Sequence, residues 1–149
     1  MVDFEMAAIN SIQKVFPESE IKGCFFHLSQ NIYLKIEEYR LQMRYQEDSE
    51  WSLQIRMIPA LTFVPADDVP DAFEALSKIL PPESRPVADY FEDAYFGRPQ
   101  RRGRRQPTSA IAMWNMYSRS EDKLPKTSNS VKGWHRSFQS NVGSSHPTI

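Results

Sequence analysis

Cysteine is almost missing from this chain of 149 residues: Cys24 stands alone, so no disulfide can form within it. Glycine is scarce, with 5 residues, and the sequence holds no Gly-rich phosphate loop, no nucleophile elbow and no His-Glu-x-x-His pair. The chemistries built on those devices are therefore set aside. Long hydrophobic runs are lacking too, because the stretch from Ile58 to Val64 contains Pro59 and Thr62 and falls far short of the roughly 20 residues that cross a bilayer. No membrane span is expected. Asp3 and Glu5 interrupt the start where a secretory signal needs a basic and then an apolar run, so an intracellular protein is expected.

What is present can build a core: 40% of residues are hydrophobic and 12% aromatic. At this length a compact chain buries about 70% of its unfolded surface, which argues against wholesale disorder and for one domain or a piece of one. The net charge of −1 conceals a division. Residues 1–96 carry 8 Lys and Arg against 17 Asp and Glu, a balance of −9, whereas residues 97–149 carry 10 against 2, a balance of +8. Such a split means either that the basic part folds back on the acidic part or that it meets a polyanion. Composition leaves both open.

Apolar spacing predicts helices with a single strand among them. Asp3 is a candidate N-cap for a helix to about Val15, ended by Pro17. Ile21 to Phe26 is short and rich in strand formers and reads as one buried strand. From His27, the positions Leu28, Ile32, Leu34, Ile36 and Tyr39 return to helical spacing, which resumes at Leu41, Met43 and Tyr45. Asp48-Ser49 is a plausible cap for a helix through Trp51, Ile55 and Ile58 that Pro59 must kink or end. Asp68 is a candidate cap for a helix through Phe73, Leu76 and Leu80, closed by Pro81-Pro82. Val87 to Tyr95 form another, stopping at Gly97.

Residues 97–107 contain no apolar side chain able to order them by burial and read as a mobile basic loop. Beyond it, Ile111 to Tyr117 suggest a short helix, and Thr127 or Ser128 can cap a last one through Val131, Trp134, His135 and Phe138 before a frayed end. A lone strand needs neighbours for its backbone N–H and C=O groups, and no second convincing strand is in sight. The expected chain is thus an α/β fragment, mainly α-helical, whose sheet is incomplete.

Three sets of residues carry candidate chemistry. Cys24 and His27 have the two-residue gap of a metal-ligand pair, which zinc would complete with residues such as His135 and His146; a single such pair at the end of an apolar strand is more often a buried thiol beside a hydrogen-bonded imidazole. Arg98, Arg101, Arg102, Arg104 and Arg105, joined by Lys126, Lys132 and Arg136, could neutralise nucleic-acid phosphates or act as a nuclear import signal, or form a solvated loop. Asp3 and Glu5, with Asp67, Asp68 and Asp71, are the carboxylates available to magnesium, although helix capping accounts for Asp3, Asp67 and Asp68.

A set of motifs follows in a recognisable order: Asp3-Phe4-Glu5, Phe16-Pro17, Gly23-Cys24-Phe25-Phe26-His27-Leu28-Ser29-Gln30, Ala60-Leu61-Thr62-Phe63-Val64-Pro65 and Tyr90-Phe91-Glu92-Asp93-Ala94-Tyr95-Phe96-Gly97. Trp114-Asn115-Met116-Tyr117 and the segment from Thr127 to His135 continue it. In that order the chain resembles the MULE (Mutator-like element) transposases over nearly its whole length. The resemblance implies a partial RNase H-like transposase fold with a helical insertion: residues 1–96 the RNase H-like part, 97–107 a basic loop, and 108–149 the C-terminal helical part of the same domain.

It also implies an acidic triad, two Asp and one Glu, holding two Mg2+ or Mn2+ ions about 3.5–4 Å apart for DNA strand transfer. Asp3 matches the second Asp, and Cys24 and His27 match the family's Cys-x-x-His near the active site. The first Asp belongs upstream of Met1, so the chain is expected to be trimmed, at its other end as well. By alignment of Asn129 and His135, the Glu position holds Lys132, which puts a cation where a divalent ion must bind. The expectation is a catalytically inactive remnant with no functional metal, nuclear and associated non-specifically with DNA. The alternatives are a helical interaction module that pairs with itself or a related transposase chain, and a gene fragment without function.

Overall fold

Four helices converge on one apolar core because each repeats its large apolar residues three or four positions apart. In the computed structural model, which describes residues 1–127 and Gly133, the helices run α1 Met6–Val15, α2 Phe25–Glu38, α3 Gln42–Glu47, α4 Ser49–Ala60, α5 Val69–Ile79, α6 Arg85–Tyr95, α7 Ile111–Trp114 and α8 Tyr117–Glu121. Leu28, Ile32 and Ile36 of α2 meet Trp51, Ile55 and Ile58 of α4, Phe73 and Leu76 of α5, and Val87, Phe91 and Tyr95 of α6. Trp114 joins them from beyond the basic segment. Its ring centre lies 5.5 Å from that of Phe91, and its Nε1 donates to the Tyr95 carbonyl at 2.6 Å. The fold is mainly helical, as expected, and no helix among the described residues is long and apolar enough to cross a membrane.

The cap expected at Asp48 is present: its Oδ1 accepts from the Trp51 backbone N–H at 2.9 Å. Pro59 lies in the last turn of α4, which passes into a 3-10 turn at Leu61–Phe63 instead of breaking at the proline. Asp68 makes no side-chain cap for α5: it ends the 3-10 turn Ala66–Asp68 with helical backbone instead of the extended backbone of a cap, and Pro70 removes one of the two N–H groups a cap would reach. Asp3 does not cap α1 either. The chain turns at Phe4, whose φ is 70°, α1 begins only at Met6, and the Asp3 carboxylate accepts from the Glu5 N–H at 3.4 Å.

The strand read at Ile21 to Phe26 is replaced by a single parallel bridge between Val2 and Gly23, and Phe25 and Phe26 already belong to α2. The backbone of this segment finds three partners without a ladder. Cys24 N–H donates to the Val2 carbonyl at 2.8 Å, Gly23 N–H to Met113 at 2.8 Å, and Phe25 N–H to Lys126 at 3.0 Å. Among the described residues there is no strand, only this bridge and an antiparallel one at Pro99 and Arg104.

The helix expected over Ile111 to Tyr117 is split at Asn115. There the side-chain amide donates to the Val64 carbonyl at 2.7 Å, its Oδ1 accepts from Tyr117 N–H at 3.1 Å, and Met116 N–H turns to Thr62 at 2.8 Å. The helix expected after Thr127 or Ser128 lies outside the described residues.

Candidate functional site

The first candidate is the corner where the N-terminus crosses the start of α2. The Val2–Gly23 bridge sets Asp3 and Cys24 directly after the paired residues. Asp3 is exposed, whereas Cys24 is 1% exposed at the N-cap position of α2. His27 follows one turn later, half-buried, with its ring edge-on to Phe26 at 5.5 Å. Phe4 turns inward to pack edge-on against Tyr95 at 5.7 Å, and its ring covers Gly23 so closely that a Cβ there would overlap it. The corner thus half-buries the ring between two exposed carboxylates, Asp3 and Glu5.

Among the described residues, no three of His, Cys, Asp and Glu come together as a group that could hold a metal ion. Among the described residues, Asp3 therefore has no second and third donor beside it of the kind a divalent cation requires. Asp67, Asp68 and Asp71 lie at the start of α5, away from this corner in the chain and exposed. His135 and His146, named as further zinc ligands, lie outside the described residues, as do Asn129, Lys132 and Arg136.

The second candidate is the basic segment, which is a hairpin where a mobile loop was expected. Arg105 N–H donates to the Arg98 carbonyl at 2.9 Å and Gln100 N–H to Gly103 at 2.8 Å, with Gly103 turning at φ 79°. Burial does not order it; charge does. Arg98 reaches Asp93 at 2.8 Å and Asp89 at 3.6 Å, Arg105 reaches Asp93 at 3.1 Å, and Arg104 reaches Glu92 at 3.0 Å. Arg104 also donates to the Gly97 carbonyl at 2.8 Å and lies 4.7 Å over the Phe96 ring. Asp93 raises the Arg98 pKa first by its hydrogen bond.

The arginines thus divide. Arg98, Arg104 and Arg105 are held on α6, while Arg101 and Arg102 stand exposed at the tip with no carboxylate partner among the described residues. Lys126 lies apart, its Nζ 6.0 Å from the Phe63 ring centre. Sequence reasoning missed Asp89, Glu92 and Asp93 as partners. Their signal was the opposite charge of the two sides of Gly97, with the three carboxylates spaced along one side of α6.

Behind the hairpin, Tyr95 is buried and its hydroxyl accepts from Asn31 Nδ2 at 3.1 Å. Burial drives its pKa well above that of a free phenol. It is a neutral structural group. No family model, curated protein or solved structure matches the chain.

Proposed function

We propose that the chain is a catalytically silent, transposase-derived piece of an RNase H-like domain of the MULE type, acting in the nucleus as a non-specific DNA-associated module. The observation that carries the ancestry is the parallel Val2–Gly23 bridge joined through α1. One parallel bridge with a helix between its two residues has the connectivity of a βαβ unit without its strands, and that connectivity supports the reading. Asp3 follows the first of them, where the resemblance expects the family's second Asp. Silence follows from charge: Lys132 at the position of the family Glu repels the cation that the reaction requires.

DNA contact on this reading belongs to Arg101 and Arg102, since Arg98, Arg104 and Arg105 already face carboxylates. The test is DNA binding across a salt series. Each phosphate contact contributes about −0.9 to the slope of log affinity against log salt, so R101Q/R102Q flattens it by about 2. Unchanged affinity and slope sink the DNA reading. Incubation with Mg2+ or Mn2+ and labelled DNA leaves the DNA intact; metal-dependent nicking abolished by D3A sinks the inactive one.

A second reading, a helical interaction module, is favoured by α1. That helix buries Ile9 but leaves Met6 39%, Val15 67% and the following Phe16 59% exposed. Association between copies through exposed apolar residues at the C-terminal end of α1 makes the scattering mass rise with concentration, and F16S suppresses the rise. A monomer at all concentrations removes this reading.

A further inference from the structure

The cleft between α2, α3 and α4 has no part in that reading. Phe25, Ile32, Tyr33 and Pro59 give it apolar, aromatic-rich walls around a volume of about 290 Å³, close to the lower end for small-molecule sites. Among the residues lining it, Arg56 is the one that carries a charge. Its Nε donates to the Tyr45 hydroxyl at 3.0 Å and its guanidinium carbon lies 5.4 Å from the Tyr45 ring centre. Tyr45 is itself braced edge-on by Tyr33 at 5.5 Å and Trp51 at 6.4 Å.

This holds the guanidinium in one orientation through Nε and leaves its terminal N–H groups for another acceptor. No carboxylate pairs with Arg56 among the described residues. A planar fork at the mouth of an apolar, ring-lined cleft matches a carboxylate carried on an aromatic body. The wider groove outside, which shares Tyr45 and Arg56, is also lined by Glu50, whose charge disfavours a second negative group.

We propose that this cleft binds a small planar aromatic monocarboxylate, its ring against Phe25, Tyr33 and Pro59 and its carboxylate on the terminal nitrogens of Arg56. A cation is repelled by Arg56, and a polyanion finds one guanidinium and an opposing Glu50.

The experiment titrates the full chain with 2-naphthoate and with its neutral analogue naphthalene-2-carboxamide, followed by backbone amide NMR shifts. Naphthoate gives saturable shifts concentrated on α2, α3 and α4, and the carboxamide binds more weakly. R56Q, at an exposed position, keeps the thermal midpoint and weakens naphthoate about tenfold or more while leaving the carboxamide unchanged. Y45F keeps the wall but releases the fork, and weakens naphthoate by a smaller factor. Absence of saturable binding, shifts centred elsewhere, or equal losses for both compounds in R56Q overturns the proposal.

Discussion

The ring of Phe4 lies against the α-carbon of Gly23, filling the space that any side chain at position 23 needs. Phe4 reaches that position through a left-handed backbone, φ 70°, rare for a bulky residue and stabilised here by its edge-on contact with Tyr95. The bridge, the half-buried ring and the exposed Asp3 are therefore one arrangement.

G23A forces the Phe4 ring out of its seat and destabilises the protein by roughly 1–3 kcal/mol, measured by urea unfolding. In the F4A background the same change costs much less. Equal costs in both backgrounds contradict the contact.

The Trp114 indole bond to the Tyr95 carbonyl is buried and ties the chain after the hairpin to α6. W114F leaves that carbonyl without its donor and costs roughly 1–3 kcal/mol in denaturant unfolding. A smaller loss means that another donor replaces the indole.

Glu92, partly shielded beside Arg104, anchors the hairpin to α6. In brief trypsin digestion the native chain is cut first at Arg101 and Arg102, and E92Q speeds cleavage and extends it to Arg104 and Arg105. Identical digestion patterns mean that the ion pair does not hold the hairpin.

Tyr95 gives stability an alkaline limit. Its folded pKa is raised by burial, whereas the unfolded phenol titrates near roughly 10. Its contribution is complete below that pH and is lost as pH rises above it, because the unfolded state releases the proton first. The thermal midpoint of the native chain falls more steeply above pH ~10 than that of Y95F. Parallel curves assign the alkaline loss to other groups.

Asp48 caps α4 and is itself half-buried. D48A lowers stability by about 1 kcal/mol and D48N by less, read from urea midpoints. If both variants lose equally, the loss comes from the ion pair of Asp48 with Arg44 at 3.5 Å instead of the cap.

Much of the helical fold was legible because helix α4 announces itself twice, by Asp48 at its start and by Trp51, Ile55 and Ile58 along one face. The same spacing revealed α2, α5 and α6. Ile21 to Phe26 was misread as a strand because a short apolar run is compatible with strand and helix start alike, and its backbone partners, Val2, Met113 and Lys126, are distant in sequence. The caps failed at Asp3 and Asp68 for local reasons, a left-handed Phe4 and a 3-10 turn that runs through Asp68 into α5. Of the candidate sites, the arginine cluster was visible as composition and its division was not. Arg56 drew no attention at all, since a single arginine on a helix means nothing until Tyr45 is found beside it.

By itself the sequence determined where the long core helices α2, α4, α5 and α6 lie, the single thiol, and the opposite charges on either side of Gly97, because these depend on residue type and spacing alone. Tertiary structure alone decided that the basic hairpin folds back on α6: Arg98 meets Asp89 and Asp93 just after the turn at Gly97, and Arg104 and Arg105 return to Glu92 and Asp93 after the turn at Gly103. It likewise decided which guanidiniums stay open to solvent. The reason is physical: charge along a sequence fixes the sign of a partner, and only the distances brought about by packing fix which partner it is.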